Sequence, residues 1–144
     1  MAEVRRIFVD TSAWLALINR NDQRHGAAVR FHRSLNLSVR RVTTWGIVGE
    51  TYTWLRYHAG YRPAERWLHE QASLEEQAAL EVVFPTPSAE AGVRRILSRF
   101  ADQGLSYVDA FSLSILENRG DIDAVFAFDH HLGLTGVPVF PHGS

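Results

Sequence analysis

The sequence predicts an α/β fold in which helices cover both faces of a mostly parallel sheet, forming a three-layer α/β/α sandwich. Short apolar segments that suit strands alternate with longer segments that suit helices, several with apolar residues at helical spacing. No repeat, low-complexity stretch or long linker interrupts this alternation. A chain of 144 residues has room for one hydrophobic core but not for two, so we expect a single domain over residues 1–144.

The predicted strands are short apolar runs that end at a polar residue or at proline. Pro85 and Pro87 close the third run. Pro138 places the last run at an edge of the sheet, because proline cannot donate a ladder hydrogen bond. In chain order, the strands are expected over residues 7–9, 39–44, 80–84, 124–128 and 137–140.

The predicted helices begin and end at recognisable signals. The hydroxyls of Thr11 and Ser12 can cap the first helix, and Ser88 can cap the fifth. Gly60 ends the third helix and Pro63 opens the fourth, because proline is tolerated in a first helical turn. The six helices are expected over residues 11–18, 25–35, 45–58, 63–73, 88–100 and 106–119.

Composition excludes several functional classes. The chain has no cysteine, which rules out disulfides, thiolate metal sites and a cysteine nucleophile. No apolar run approaches the roughly 20 residues that span a bilayer, and the amino terminus lacks the apolar core of a signal peptide. We therefore expect a cytoplasmic protein without membrane contact.

Charge alone does not decide whether the chain binds nucleic acid. The formal net charge is −1, so no strong global field attracts RNA. All 15 basic residues are arginine, whose planar fork suits phosphate better than lysine does. A GC-rich coding bias would produce the same composition, so the arginines leave the question open.

Two predicted strands end in a carboxylate. Asp10 follows the first apolar run, and Asp129 follows the fourth. Because ligands of parallel sheets bind beyond the carboxyl ends of the strands, both side chains are placed where a site would form. The structural alternative is that each aspartate only starts a turn or caps the next helix.

Two further acids lie near the starts of predicted helices. Glu50 is one turn inside a largely apolar helix, where a buried glutamate is costly unless it is paired or metal-bound. Its structural alternative is a solvated helix face. Asp109 lies three residues after Ser106, a spacing that also suits a capping box. A capping role and a ligand role do not exclude each other.

Four carboxylates without cysteine favour a magnesium or manganese site over a zinc site. Mg²⁺ takes only one or two carboxylates directly and keeps several waters, so the remaining acids would hold those waters or a second ion. A water acidified by the ion can attack a phosphodiester, while the ion neutralises the developing charge. Metal-assisted phosphodiester hydrolysis is therefore the chemistry that these residues predict.

In order and spacing, these segments resemble the PIN-domain nucleases, and especially the VapC-type toxins of toxin–antitoxin systems. The likeness runs from about residue 7 to residue 140. Leu132 stands where that family commonly has phenylalanine, a conservative change for packing. The segments that carry the resemblance are the opening strand and turn, the start of the second helix and the three later acidic motifs, at residues 7–17, 22–28, 49–51, 105–110 and 126–131.

The resemblance implies an Mg²⁺-dependent endoribonuclease, with Mn²⁺ able to substitute, that forms a homodimer and is neutralised by a cognate antitoxin. It implies that Asp10 and Asp109 bind the metal directly. Glu50 and Asp129 would complete the catalytic acidic cluster. Hydroxyls at positions 11 and 12 would lie beside the metal.

Three alternatives remain open at this point. A HAD-type phosphatase also begins with an aspartate at a strand end, but its second aspartate would fall where Ser12 stands. A non-catalytic binding module could keep the fold, although all four acids are present. A PIN nuclease of RNA maturation would use the same chemistry. Adjacent residues point to different sides of a helix or strand, so His130 and His131 are a poor pair of metal ligands, and we expect them to serve packing or phosphate contact. We expect the four tryptophans to serve the core or an interface.

Overall fold

The computed structural model describes residues 3–142 and contains a five-stranded, entirely parallel sheet. The strand order is β3-β2-β1-β4-β5, so the first strand is central and the chain moves to one edge before it crosses to the other. The strands are β1 Arg6–Val9, β2 Arg40–Thr44, β3 Leu80–Val83, β4 Ala124–Phe126 and β5 Val139–Phe140.

Six α-helices connect the strands. They are α1 Thr11–Ile18, α2 His25–Ser34, α3 Trp45–His58, α4 Tyr61–Glu76, α5 Glu90–Arg99 and α6 Tyr107–Asn118. Three 3₁₀ turns complete the regular structure, at Pro87–Ala89, Ala101–Gln103 and His130–Gly133. No helix in residues 3–142 is long and apolar enough to cross a membrane.

The order of the strands places the helices in two layers. Parallel crossovers are right-handed, so the connections from β1 to β2 and from β2 to β3 put α1 to α4 on one face of the sheet. The return from β3 to β4 puts α5 and α6 on the other face. The packing agrees, because α1 contacts α2 and α3, α3 contacts α4, and α5 contacts α6. The predicted three-layer α/β/α architecture is confirmed.

The core lies on both sides of the two central strands. All three residues of β4 are buried, as are the last three of β1, because helices cover them on both faces. Residues 110–116 of α6 are all buried as well. This helix is therefore fixed on every side, which gives the acid near its start a rigid support.

Several element ends differ from the sequence prediction. Asp10, and not Thr11 or Ser12, is the N-cap of α1. Ser88 lies in a 3₁₀ turn, bonds to the hydroxyl of Thr86 and caps nothing, so α5 begins only at Glu90. The fourth helix starts two residues before Pro63, since a glycine with φ of +102° makes the turn at position 60.

The fourth strand is also shorter than predicted. It ends at Phe126, and the backbone N–H of Phe128 turns away from the sheet to donate to the Ser12 hydroxyl over 2.9 Å. Asp129 therefore lies in a loop beyond the strand and caps the 3₁₀ turn that follows. The predicted edge position of the last strand is confirmed.

Candidate active site

Asp10 lies at the carboxyl end of the central strand and is almost completely buried, with 6% of its surface exposed. Its backbone N–H continues the ladder to the carbonyl of Phe126 on β4, over 3.0 Å. One carboxylate oxygen, Oδ2, accepts hydrogen bonds from the hydroxyl and the backbone N–H of Ser12, over 2.8 and 3.3 Å. The strand end thus fixes the carboxylate at the carboxyl edge of the sheet.

Glu50 reaches the same edge from α3. Thr44 caps this helix, its hydroxyl accepting from the backbone N–H of Ile47 over 3.1 Å, so the helix starts directly at the end of β2. One turn later, Glu50 Oε1 accepts a hydrogen bond of 2.8 Å from the hydroxyl of Thr11. Glu50 is exposed, so the structural alternative of a solvated helix face is correct. Its carboxylate is nevertheless hydrogen-bonded to Thr11, the residue after Asp10.

Asp109 approaches from α6 and forms the capping box that its spacing predicts. Its backbone N–H donates to Ser106 Oγ over 3.0 Å, and its Oδ2 accepts from the Ser106 backbone N–H over 3.2 Å. Its charge acts on the other two acids, because Asp109 contributes to raising the pKa values of both Asp10 and Glu50. Asp10, Glu50 and Asp109 are therefore brought close enough to interact.

A glycine sets the close approach of the two helices that carry Glu50 and Asp109. A Cβ atom at Gly46 would lie 3.1 Å from Val108 Cγ2, tighter than ordinary van der Waals contact. A side chain at position 46 would therefore require Val108 to shift by a few tenths of an ångström, and glycine lets the first turns of α3 and α6 pack without that shift. This contact brings the two helix starts together at the carboxyl edge.

Asp129 is linked to this cluster through Ser12. The Ser12 hydroxyl donates to Asp10 and accepts from the backbone N–H of Phe128, one residue before Asp129. The structure shows no direct interaction between the Asp129 carboxylate and the other three acids. The four predicted acids thus form a group of three, with Asp129 positioned beside it through the backbone.

The two histidines after Asp129 turn toward it, which differs from our expectation for adjacent residues. The 3₁₀ turn brings Nδ1 of His131 to 3.0 Å and Nδ1 of His130 to 3.9 Å from Asp129 Oδ1. Within residues 3–142, Asp129, His130 and His131 form the group of three acidic or histidine side chains whose potential metal-binding atoms all lie within 4.8 Å of one another. Nδ1 of His131 is buried and has no aligned hydrogen bond. This grouping could not be predicted from the periodicity of a strand or an α-helix, in which adjacent side chains point to different sides.

The electrostatics of Asp10 are unfavourable without a cation. Burial raises the pKa of its carboxyl to about 6, and Asp109 adds to the increase, while the hydrogen bonds from Ser12 oppose it. Partial desolvation likewise raises the pKa of Glu50, and the hydroxyl of Thr11 opposes this. Among the described ion pairs, none includes Asp10, Glu50 or Asp109. The cluster therefore concentrates negative charge without a protein counterion.

Each of the four carboxylates has one oxygen hydrogen-bonded to the protein. Those oxygens are Oδ2 of Asp10, Oε1 of Glu50, Oδ2 of Asp109 and Oδ1 of Asp129. For Glu50, Asp109 and Asp129, the other oxygen has no hydrogen bond in the part of the chain that the structure describes. At Asp10, the backbone N–H of Thr11 also acts on the carboxylate and helps to lower its pKa. This arrangement fits a hard divalent cation, because the fixed oxygen orients the carboxylate and the other can face a metal or its waters. The acids need not form a tight cage, since Mg²⁺ keeps most of its waters. The assignment of the four acids to catalysis stays a prediction.

Two surfaces with exposed aromatic rings flank the cluster. On one side, a groove along α3 is lined by Thr11, Glu50, Thr53, Trp54, Tyr57 and His58. On the other side, an apolar cavity of about 390 Å³ lies between the starts of α3 and α6, with Trp45 and Tyr107 among its lining residues. The rings of Trp45 and Tyr107 are exposed, whereas those of Trp14 and Trp67 are buried in the core.

Comparison with known proteins gives consistent results. The PIN domain family model matches residues 7–136. The chain is 34% identical over 130 residues to the 23S rRNA-specific endonuclease VapC20 of Mycobacterium tuberculosis, covering 90% of this chain and 94% of that protein.

Solved structures show the same relationship. The crystal structure of Mycobacterium tuberculosis VapC20, described as a sarcin-ricin loop cleaving toxin, matches with a TM-score of 0.78 and 32% identity, covering 91% of this chain and 95% of that one. The structure of FitAcB from Neisseria gonorrhoeae matches with a TM-score of 0.61 and 16% identity, covering 94% of this chain and 96% of that one. This second likeness concerns the fold alone.

Proposed function

Since the chain belongs to the PIN-domain family, and within it resembles the VapC-type endoribonuclease toxins, we propose that it cleaves RNA at the carboxyl edge of its sheet. PIN domains are metal-dependent nucleases. We assign the metal to the cluster of Asp10, Glu50, Asp109 and Asp129, with Mg²⁺ as the resident ion and Mn²⁺ as a substitute. The HAD-type alternative is wrong, because the whole region that holds the acids matches a different family.

One observation supports the metal assignment most strongly. Asp10 is a buried carboxylate with a raised pKa and no cationic partner among residues 3–142, and Asp109 adds further negative charge to its surroundings. A buried charge of this kind is costly unless it is paired or bound to a metal. A divalent cation between Asp10 and Asp109 would remove both the burial cost and the repulsion.

We infer the role of each acid from which of its carboxylate oxygens the protein holds in place. Asp10 and Asp109 would bind the ion directly through their Oδ1 atoms, while Ser12 and Ser106 hold the Oδ2 atoms in place. Asp109 can therefore cap α6 and bind metal at the same time, with a different oxygen for each. Glu50 and Asp129 would accept hydrogen bonds from the waters of the site and orient the attacking one.

The bound ion would supply Lewis acidity, making a water molecule more acidic and neutralising charge on the phosphodiester. The protein's own contribution is to keep Asp10 ionised and correctly oriented. Ser12 contributes through two hydrogen bonds, because its hydroxyl and its backbone N–H both donate to the same oxygen of Asp10. The same hydroxyl accepts from Phe128, which couples the position of Asp10 to the loop that carries Asp129.

Ribosomal RNA is the first substrate class to test, because the related VapC20 is specific for 23S rRNA. The VapC resemblance also supports a cognate antitoxin, a cytoplasmic site of action and a homodimer as proposals for this chain. The exposed rings of Trp45, Phe84 and Tyr107 offer an apolar surface of the kind that protein interfaces bury.

The function is tested by incubating the purified protein with ribosomes and with isolated ribosomal RNA in Mg²⁺, Mn²⁺ or EDTA. We expect discrete cleavage with either metal and none in EDTA. Unchanged cleavage in EDTA would refute the metal mechanism. Growth arrest on expression without an antitoxin would support the toxin role. Normal growth at high expression of an active protein would indicate the RNA-maturation role.

A further inference from the structure

A groove of aromatic side chains continues directly from the acidic cluster along α3. Glu50 forms its inner end, and Trp54, Tyr57 and His58 follow at helical spacings of four, seven and eight residues, so all four share one face of the helix. The groove has a volume of about 550 Å³, and Thr11 lines it at the end beside Glu50. From Glu50 to Tyr57 it extends about 10 Å along the helix axis.

The aromatic residues in this groove differ in exposure: Tyr57 and His58 are exposed, whereas Trp54 is partly buried and packs against the core. Tyr57 has 81% of its surface exposed and is the next-to-last residue of α3. The rings of Trp54 and His58 stack on each other, with centroids 4.3 Å apart and planes inclined by 11°. His58 Nδ1 lies 2.9 Å from the carbonyl oxygen of Trp54, which can only accept, so this nitrogen carries the proton. The stacked pair is thereby held in one orientation.

We propose that this groove binds one nucleobase of the RNA, that of a nucleotide next to the cleaved phosphodiester, by stacking against Tyr57 and the Trp54–His58 pair. The inference rests on the proposed function. Aromatic rings on a protein surface stack with unpaired bases of RNA, whatever the base, because every base has a π-face. Since Glu50 lines the inner end of the groove, a nucleotide whose base lies there would place its phosphate beside the acids, where the proposed metal ion would neutralise its charge.

The charge of the groove favours a base over a phosphate. Among the described residues that line it, Glu50 is acidic and none is an arginine, and the others carry hydroxyl or aromatic side chains. A phosphate would be repelled there, whereas a neutral ring would not. The apolar cavity near Trp45 is a weaker candidate for this role, because none of the four acids lines it.

Three variants test the proposal. Tyr57→Ala removes the ring, Tyr57→Phe keeps it, and Tyr61→Ala removes an exposed tyrosine that lies outside the groove. Both positions are exposed in the folded protein, so folding should be unaffected, and circular dichroism melts check this. The first readout is kcat/KM on an RNA that the wild-type protein cleaves. The second uses the same RNA with an abasic nucleotide placed in turn at each position around the cleaved bond.

The groove predicts a specific pattern. Tyr57→Ala should lower kcat/KM about tenfold or more, as expected for a lost stacking contact, while Tyr57→Phe and Tyr61→Ala should remain near the wild-type value. One abasic position should reduce cleavage by the wild-type protein by a similar factor. At that position, Tyr57→Ala should cause little further loss, because the contact is already absent. Equal cleavage by Tyr57→Ala and the wild-type protein would overturn the proposal. So would an abasic nucleotide and Tyr57→Ala that each reduce cleavage by the same factor whether or not the other is present.

A binding measurement separates this proposal from the proposed function. The probe is an oligoadenylate of ten nucleotides carrying a single 2-aminopurine, added to the Asp10→Asn protein so that it stays intact. Quenching of 2-aminopurine that disappears with Tyr57→Ala would support the groove even if the wild-type protein cleaved no RNA, in which case only the proposed function would fail. Cleavage that is insensitive to Tyr57, with antitoxin binding lost instead, would make the groove a protein-binding surface and overturn the proposal.

Discussion

Acidic side chains lie at both ends of the sheet, but the two groups differ in whether arginine pairs with them. At the amino ends of the strands, Arg119 contacts Glu81 and Asp121 over 2.7 and 2.8 Å, and Asp121 also lies 3.6 Å from Arg6. Asp123 accepts hydrogen bonds from the backbone N–H groups of residues 5 and 6. At the carboxyl ends, Asp10, Glu50 and Asp109 have no such partners in the described chain.

The pKa values record this difference. The hydrogen bond and charge of Arg119 lower the pKa of Asp121, so its ionised form is favoured in the folded protein. Burial raises the pKa of Asp10 to about 6, so its ionised form is disfavoured. The acids of the amino end therefore stabilise the fold as they are. In their ionised forms, the acids at the carboxyl end stabilise it only when a cation is supplied. Four predictions test this contrast.

The largest expected effect is loss of activity in Asp10→Asn. We expect cleavage to fall about a thousandfold or more, because the metal contributes several kcal/mol to stabilising the transition state and loses a direct ligand. Cleavage rates of purified proteins measure this. Glu117→Gln is the matched control, since that acid is paired with Arg99 and should be dispensable. Retention of more than a tenth of the activity would remove Asp10 from the metal site.

The next effect concerns the pH dependence of stability in EDTA. Because the folded pKa of Asp10 is raised, its stabilising contribution is complete below the ordinary value of 3.8 and is lost as pH rises through about 6. A shift from 3.8 to about 6 corresponds to roughly 3 kcal/mol. Asp10→Asn should lose this dependence while keeping its helix cap, since asparagine caps as well as aspartate. Parallel pH profiles of the two proteins, from chemical denaturation, would contradict this account.

A smaller effect of opposite sign is expected at the amino end. Arg119→Met should destabilise the protein by about 1–2 kcal/mol, because two ion pairs of a side chain only 27% exposed are lost. The loss should shrink on acidification, since the stabilisation of Asp121 is present at neutral pH and disappears as pH falls through its lowered pKa. Denaturation midpoints measure both effects, and cleavage should be unchanged. Arg94→Met, which removes an exposed pair, should cost less than about 0.5 kcal/mol.

Much of the fold could be predicted from the sequence because its strongest signals are local. Apolar runs defined the strands, and the serine three residues before Asp109 identified the capping box. The errors lie where tertiary contacts override local signals. Serine is a preferred N-cap residue, but at Ser88 the chain forms a 3₁₀ turn. Phe128 continues an apolar run, but its N–H bonds to Ser12 across the sheet edge.

The candidate site follows the same rule. The positions of all four acids could be proposed from the sequence, because each adjoins a strand end or a helix start. The single hydrogen-bonded oxygen of each carboxylate could not, because its partners come from Thr11, Ser12, Ser106 and His131 in three different elements. The orientation of the histidines beside Asp129 depends on a 3₁₀ turn that has no clear periodic signal.

The most direct test of the contrast is at Asp109, whose side chain both caps a helix and belongs to the acidic cluster. Thermal melts of the wild-type protein and Asp109→Asn, each in EDTA and in Mn²⁺, separate the two roles. We predict that in EDTA the variant is at least as stable as the wild-type protein, because repulsion of Asp10 and Glu50 is relieved. We further predict that Mn²⁺ stabilises the wild-type protein and not the variant. A variant that is destabilised by about 1 kcal/mol and still responds to Mn²⁺ would show that Asp109 is only a cap.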